Sequence, residues 1–392
     1  MQRECSVTKY YFDNSATTRV SDTVLQAMLP YFQKVYGNPS SIYTLGREAR
    51  DGYIHAVHQT AVALGADDSE IYFTSGGSES DTWALKSGAS YMAQKGKKHI
   101  ISASFEHPAI LKNLQKLEQQ GFKITFVNPE SNGIIRPESI KEAIREDTGL
   151  ISIMFVNNET GMIQPIEQIG ALCGDKNILF HTDAVQAIGN VAVDVKKLHI
   201  DLLSASGHKI HGPKGVGILY MKKGLWLDPL IAGGGQEKGR RAGTENIPGI
   251  VGFGTAIQEA TEMLEEKEKH LKPLQRSIYE AFRNEEGCTL VGKLENRICT
   301  NINLCVQGVE AKKIVYALDN DFGIAISSVS ACGCKESRPS HVLMSMGYDE
   351  EEAKSSIRIT MSKNTTEKEV QILINALRRT IKKLRRMPNE DK

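Results

Sequence analysis

The sequence predicts an α/β protein with a mostly parallel sheet in a large domain and a smaller α+β domain, on three observations. Between about residues 60 and 220, apolar-periodic stretches of helical length alternate with short β-rich runs, as in repeated β-α units. Several of these runs end in polar residues. Beyond about residue 256 the pattern changes to a charged helix, short strands and a closing helix.

The predicted sheet consists of seven runs, which in order are EIYFTSGG, HIISASFEH, KITFVNP, LISIMFVNNE, ILFHTDA, DLLSASGHK and GVGILYM. Open α/β sheets bind ligands outside the carboxyl ends of their strands. We therefore expect a site among the polar residues that end these runs, namely Ser75, Glu106, His107, Asn157, Asn158, Asp183 and Ser206 to Lys209.

The closing helix begins at a predicted capping box of Thr366 and Glu369. Its apolar stripe consists of Val370, Leu373, Leu377, Ile381 and Leu384. The basic end, RRTIKKLRR, favours a solvated face near a helix C-terminus over a nucleic-acid contact.

The overall composition points to a small, weakly charged substrate. With 48 Lys+Arg against 47 Asp+Glu, the net charge of +1 gives no general attraction to nucleic acid or a membrane surface. No apolar run approaches the roughly 18 residues of a membrane span, and MQRECSVTKYYFDNSATT lacks the apolar core of a signal peptide. The 7 cysteines are scattered, so we expect reduced thiols and a cytoplasmic protein.

The stretch SGHKIHGPKGVG combines lysines with glycines, which first suggests a nucleotide phosphate loop. The spacing from Gly207 to Gly212 fits, but Pro213 stands at the lysine position of that motif and Lys214 at the hydroxyl position. The cluster GGGQEKGRRAG likewise lacks the G-x-G-x-x-G spacing of a dinucleotide site. Neither nucleotide site is predicted.

Another use for such a lysine is as a Schiff-base amine. This role needs a lysine at a strand end, partly desolvated so that its amine can be neutral. Lys209 directly follows DLLSASGH and is surrounded by small residues that leave room for a flat cofactor. Lys214 lies inside a GPKG turn, a position more typical of a surface lysine.

Pyridoxal phosphate would make further demands, and the chain has a candidate for each. Asp183 supplies a carboxylate for the pyridinium nitrogen. TSGGSESDTWALK places Gly77 and Ser78 at a helix N-terminus, where phosphate binds. His107 can stack on the ring and exchange protons. The remaining candidates are donors: Asn158 and Gln186 for the ring oxygen, and Ser206 and His208 for the phosphate.

Taken in order, FDNSATT, GNPSS, FTSGGSES, EHPAI, VNNETG, HTDAVQ, SGHKIHGPKGVG, GGGQEKGRRAGTEN, SSVSAC and SIRITMS resemble the class V pyridoxal-phosphate enzymes, and among them the cysteine desulfurases of the NifS/IscS type. The match runs from about residue 11 to 366. The resemblance implies a PLP-dependent transferase of fold type I, like aspartate aminotransferase. It further implies a homodimer that converts L-cysteine to L-alanine and passes sulfur to an iron-sulfur scaffold or to a carrier for tRNA thiolation.

The resemblance also implies domains and residue roles. Residues 14–255 would form the large PLP-binding domain, and residues 1–13 and 256–392 the small domain, which carries the catalytic-cysteine loop at about 327–340. The implied roles are Lys209 as Schiff-base lysine, Asp183 as pyridinium partner, His107 as stacking residue, Gln186 and Asn158 at the ring oxygen and substrate, Gly77, Ser78, Ser206 and His208 at the phosphate, Thr244 at the neighbouring subunit's phosphate, Arg358 at the substrate carboxylate, and Cys332 as the nucleophile that becomes a persulfide.

Cys334 departs from the family's usual pattern and forms a C-x-C with Cys332, while Tyr43 and Val329 replace the usual histidine and glycine. Three interpretations of Cys334 stay open. It is a second thiol on the loop by chance, it resolves or relays the Cys332 persulfide, or it binds a soft metal together with Cys332 and His341. A C-x-C with one distant histidine offers too few ligands for a zinc site, so no metal is predicted.

Three alternative functions remain on the sequence alone. A class V aminotransferase would share the cofactor site but would not need Cys332. A selenocysteine lyase differs less, because selenium can leave without a cysteine nucleophile. A non-catalytic sulfur-carrier or metal-binding platform is disfavoured because four site residues occur together, namely Lys209, Asp183, His107 and Arg358.

Overall fold

A computed structural model describes residues 9–329 and 338–386. The strands in this part of the chain are β1 (Tyr10–Tyr11), β2 (Ile71–Thr74), β3 (His99–Ala103), β4 (Lys123–Val127), β5 (Thr148–Ser152), β6 (Leu179–Asp183), β7 (Leu202–Ser206), β8 (Gly217–Met221), β9 (Cys288–Leu290), β10 (Asn301–Val306), β11 (Ile324–Ala325), β12 (Ser327–Ser328) and β13 (Ser356–Thr360). Seven of them, β2 to β8, form the main sheet.

The helices surround the sheets. They are α1 (Asp22–Met28), α2 (Pro30–Gln33), α3 (Thr44–Leu64), α4 (Gly77–Ala93), α5 (Pro108–Gln119), α6 (Pro137–Ala143), α7 (Ile166–Asp175), α8 (Gln236–Gly239), α9 (Ile247–Glu262), α10 (Leu264–Phe282), α11 (Ala311–Phe322), α12 (His341–Ser345), α13 (Glu350–Lys354) and α14 (Glu367–Arg385). Two short 3-10 turns span Asp68–Glu70 and Gly207–Lys209.

The main sheet has the order β2-β8-β7-β6-β5-β3-β4. All neighbours pair in parallel except β8, which runs antiparallel to both β2 and β7. Each of the seven predicted β-rich runs overlaps one strand, so the prediction of a mostly parallel α/β sheet is confirmed.

The central strands are buried on both faces, as expected for a parallel sheet covered by helices. Successive side chains of a strand point to opposite faces. In β6, Leu179 accordingly packs in a core cluster with Trp83 of α4, whereas Phe180 packs in another cluster with Phe253 of α9. Continuous apolar runs in the sequence are therefore what this sheet requires.

A second sheet, with the antiparallel order β12-β13-β10-β9, lies in the C-terminal part of the chain. Its core contains Ile357 and Leu377, and Phe12 from the N-terminal segment packs into the same cluster. Helix α9 continues across residue 256, the predicted domain boundary. The division into residues 14–255 and the flanking segments stays a prediction.

Helix α14 has the predicted capping box of Thr366 and Glu369, and the five predicted stripe residues are buried. Its basic end contacts its own chain: Arg378 donates to the Ala281 carbonyl at 2.7 Å and Lys383 pairs with Asp321 at 2.8 Å. None of the helices in the described residues is long and apolar enough to cross a membrane.

Candidate active site

A cavity of about 240 Å³ lies at the carboxyl ends of β6 and β7. The predicted residues that line it are Gly77, Ser78, His107, Asn158, Asp183, Gln186, Ser206, His208 and Lys209. Parallel strands place their carboxyl ends at one edge of a sheet, which is why residues so far apart in sequence meet here.

Lys209 ends the 3-10 turn that follows β7. Its Nζ donates to the backbone carbonyl oxygens of Ser15 and Ala16, the latter at 2.9 Å, and forms no ion pair among the described residues. Burial, with a smaller contribution from the charge of Arg358, lowers the pKa of this amine to about 8. A lysine in this environment can be neutral near physiological pH, as a nucleophile or base must be.

Asp183 and His107 face the same cavity. Asp183 ends β6, and its Oδ1 accepts a hydrogen bond from the Val185 amide at 2.9 Å. Burial raises the pKa of Asp183, whereas the nearby His107 and Lys209 lower it. His107 is the N-cap of α5, with Nδ1 accepting from the Ala109 amide at 3.1 Å, and burial lowers its pKa. The imidazole is therefore held neutral with a fixed tautomer.

The turn before α4 brings backbone close to the cavity. Gly76 has φ of +151°, a conformation that L side chains rarely adopt, and a Cβ at Gly77 would lie 2.7 Å from Cγ2 of Val185. The helix begins at Gly77 without a side-chain cap. Because the first N–H groups of a helix have no intrahelical acceptor, this turn offers donors to an anion.

The neutral donors also lie at the cavity. Gln186 donates from Nε2 to the Ser15 carbonyl at 3.1 Å, beside the Lys209 contact. His208 Nδ1 lies 3.2 Å from Thr17 Oγ1, and burial lowers the pKa of this histidine to about 4. At neutral pH His208 can therefore act only as a neutral hydrogen-bonding partner.

Arg358 lies in β13 and does not line the cavity, but it contacts Asn158, which does. Its Nη1 donates to the backbone oxygen of Asn158 at 3.0 Å, and its Nη2 pairs with Asp13 Oδ1 at 2.7 Å. The Nε atom is buried and has no hydrogen-bond partner within residues 9–329 and 338–386. The Nε–H is thus a guanidinium donor without a partner in the described residues.

The other predicted residues are Thr244, Cys332, Cys334 and His341. Thr244 is exposed and does not line it. Cys332 and Cys334 lie outside the described residues. His341, the third member of the metal alternative, places Nε2 at 2.9 Å from the Glu106 carbonyl oxygen.

Sequence reasoning missed two carboxylates at this site. Asp81 lines the cavity, and its buried Oδ1 has no hydrogen-bond partner in the described structure. Burial, followed by the charge of Asp183, raises its pKa well above that of an ordinary carboxyl. The sequence did contain a signal for Asp81. It lies four residues after the candidate Gly77, and residues four apart on a helix share a face. Asp13 stands in the quoted motif FDNSATT, but only its contact with Arg358 reveals a role.

The residues present fit pyridoxal phosphate. An amine without an ion-pair partner in the described residues, a buried carboxylate and an uncapped helix N-terminus face one cavity, and they match the aldehyde, ring nitrogen and phosphate. Neutral donors surround the same space.

Comparison with known proteins gives consistent relatives over nearly the whole chain. The family model described as aminotransferase class-V matches residues 10–373. The chain is 46% identical to cysteine desulfurase IscS of Methanosarcina thermophila over 377 residues, which cover 96% of this chain and 93% of that protein. It is 44% identical over 380 residues to cysteine desulfurase IscS of Clostridium botulinum strain Hall, covering 96% and 95%.

Solved structures show the same relationship. A NifS-like protein superposes with a TM-score of 0.88 at 39% identity, covering 96% of this chain and 99% of that one. A structure titled SspA in complex with cysteine superposes with a TM-score of 0.79 at 36% identity, covering 91% and 100%.

Proposed function

The chain belongs to the aminotransferase class-V family and is a pyridoxal-phosphate-dependent cysteine desulfurase, and we propose that the cavity around Lys209 is its active site. The reaction converts L-cysteine to L-alanine and passes its sulfur to a cysteine of the enzyme. The observation that carries the site assignment is the partly desolvated Lys209 amine, with its pKa of about 8, facing Asp183 and His107 across one cavity.

We propose that Lys209 binds the cofactor, Asp183 meets its ring nitrogen, and Gly77, Ser78, Ser206 and His208 hold its phosphate. When bound, pyridoxal phosphate supplies an electron sink for the charge left on the α-carbon of cysteine. Lys209 Nζ accepts the α-proton, which its lowered pKa permits. His107 stacks on the ring and carries protons, and Asn158 and Gln186 donate to the ring oxygen and the substrate.

Arg358 is the proposed carboxylate clamp for L-cysteine. Asp13 and the Asn158 carbonyl hold Nη2 and Nη1, so the guanidinium is oriented before substrate arrives. The unpartnered buried Nε provides a donor whose desolvation cost is recovered only when a ligand binds. An α-carboxylate has the charge and geometry to fill that place.

Cys332 is the proposed nucleophile. Its thiolate sulfur bonds to the sulfur of cysteine while the carbon–sulfur bond breaks. The bonding pair stays with the carbon fragment, which is protonated to alanine. The result is a persulfide on Cys332, from which we propose transfer to an iron-sulfur scaffold or sulfur-carrier protein.

We propose a homodimer, in which Thr244 of each copy reaches the cofactor phosphate of the other. Large apolar side chains on α1, on α2 and in the connections from α1 to α3 are exposed: Leu25 45%, Leu29 48%, Phe32 58%, Tyr36 69%, Ile42 85% and Tyr43 58%. A grouped set of this kind is typical of an interface.

We also propose a reducing compartment such as the cytoplasm. The cysteines within the described residues are free and buried, which supports it: Cys173, Cys288, Cys299 and Cys305.

The test is alanine formation from L-cysteine by the cofactor-loaded protein, with a thiol reductant and without any 2-oxo acid. We expect alanine and sulfide in equal amounts. Alanine that appears only when a 2-oxo acid is supplied would instead indicate transamination. Lys214→Ala, on an exposed turn of the same segment, is the matched control and should leave the rate unchanged.

A further inference from the structure

The segment Gln236–Gly239 is held against strand β2 and the 3-10 turn that precedes it. Glu237 Oε2 accepts from the Phe73 amide at 2.9 Å. Lys238 Nζ donates to the carbonyl oxygens of residues 68, 69 and 71 at 3.1, 3.1 and 3.2 Å. Both Glu237 and Lys238 have positive φ, +46° and +61°, which is costly for side chains of this size. Such a conformation persists only where contacts like these hold it.

An ion pair connects the residues after this segment to the turn that follows β2. Arg241 and Glu79 form a two-pronged ion pair, with Nε to Oε1 at 2.8 Å and Nη2 to Oε2 at 3.1 Å. Their side chains are only 21% and 11% exposed, so solvent screens this pair weakly. Glu79 Oε2 also accepts from the Ser75 amide at 2.9 Å, which fixes the turn itself.

The Arg241–Glu79 pair connects the two segments that we propose contact the cofactor phosphate. On one side, Glu79 directly follows Ser78 in the first turn of α4, whose N-terminus faces the cavity. On the other side, Arg241 precedes the exposed Thr244, and the Gly243 amide between them donates to Gln236 Oε1 at 3.2 Å. A displacement of Arg241 therefore moves both the turn of its own site and the arm that carries Thr244.

We propose that the Arg241–Glu79 pair is a positioning element that couples the two cofactor sites of the dimer. It aligns the phosphate-binding turn at Ser78 within its own subunit and, through Thr244, the phosphate contact in the other subunit. The inference rests on the proposed function, in which Thr244 crosses the interface. Neither Arg241 nor Glu79 lines the cavity, so both would act through other residues.

The first experiment measures cofactor affinity of the loaded homodimer, as the fraction of pyridoxal phosphate retained after dialysis against set free concentrations. Loss of two charge-assisted hydrogen bonds should weaken retention about tenfold or more in Arg241→Met and in Glu79→Gln. Arg241→Lys keeps the charge and should recover part of the loss. Unchanged retention in both Arg241→Met and Glu79→Gln would overturn the proposal.

Arg145→Met is the matched control. Arg145 forms a similar two-pronged pair with Asp147, at 3.0 and 2.9 Å, at the opposite end of the sheet. Its loss should leave retention and the phosphorus NMR shift of the bound cofactor unchanged, whereas Arg241→Met should move that shift. Equal effects in both variants would mean that the Arg241–Glu79 pair contributes only to general stability, which would overturn the proposal.

Mixed dimers separate the two halves of the proposal. One subunit carries Lys209→Ala, so that covalently bound cofactor reports only on the other subunit. Arg241→Met is then placed either in the reporting subunit or in the Lys209→Ala subunit, and both arrangements should lose affinity. Loss only in the first arrangement would refute the coupling.

Thr244→Ala in the Lys209→Ala subunit tests the premise separately. It should weaken retention in the reporting subunit. If it has no effect, then the crossing of Thr244 is wrong and the coupling falls with it, while the desulfurase activity of the homodimer stands on its own assay.

Discussion

Replacing Lys209 by methionine should stabilise the cofactor-free protein at neutral pH. Burial lowers the pKa of this amine from 10.5 to about 8, so the folded protein binds its proton less tightly than the unfolded chain. Each pH unit of lowering costs about 1.36 kcal/mol while the amine is protonated, which gives about 3 kcal/mol here. Because the side chain is only partly buried, screening by solvent reduces the expected value to about 2 kcal/mol.

The sign follows from proton linkage. The unfolded state binds more protons at this site between pH 8 and 10.5, so wild-type stability rises with pH through that range. Below pH 8 the full cost is present, and above 10.5 it is absent. The methionine variant lacks this titration, and its advantage should therefore be largest at pH 7 and clearly smaller at pH 10.

The assay is urea unfolding of the cofactor-free proteins at one protein concentration, at several pH values between 7 and 10. The difference in free energy of unfolding between variant and wild type should change by about 1 kcal/mol or slightly more across this range, because the unfolded lysine is still mostly protonated at pH 10. Lys214→Met, at an exposed position, should show no such change. A pH-independent difference for Lys209→Met would refute the assignment of a desolvated amine.

Three further predictions concern catalysis. Asp183→Asn should retain the cofactor but lower kcat for alanine formation on the order of 10²-fold, because the ring nitrogen loses its charged partner; an unchanged kcat would exclude that role. Asp13→Asn should raise KM for L-cysteine about tenfold with a smaller effect on kcat, because Arg358 loses a 2.7 Å charge-assisted contact; an equal fall in kcat with unchanged KM would place Asp13 in the chemical step instead. Cys332→Ala should keep the visible absorption of bound cofactor and lose alanine formation from cysteine; full activity would move the nucleophile to Cys334 or elsewhere.

Local patterns predicted much of this fold. The seven β-rich runs predicted the strands of the main sheet, most clearly for its central strands, because a strand covered on both faces must be apolar throughout. Thr366 and Glu369 predicted the start of α14 because a capping box involves only neighbouring residues. The antiparallel direction of β8 was not legible, since strand direction depends on how the chain crosses the sheet.

The candidate site, like the fold, could be predicted from the sequence only in part. Polar residues at strand ends and the position of Lys209 are sequence features, and they identified most residues that line the cavity. The pKa of Lys209, in contrast, depends on how fully distant segments exclude water from it. Asp13 meets Arg358, and Arg241 meets Glu79, only after the chain has folded. The sequence by itself determined the elements and the chemical groups available; tertiary structure decided which charges pair and which are left for ligands, because those depend on contacts between residues far apart along the chain.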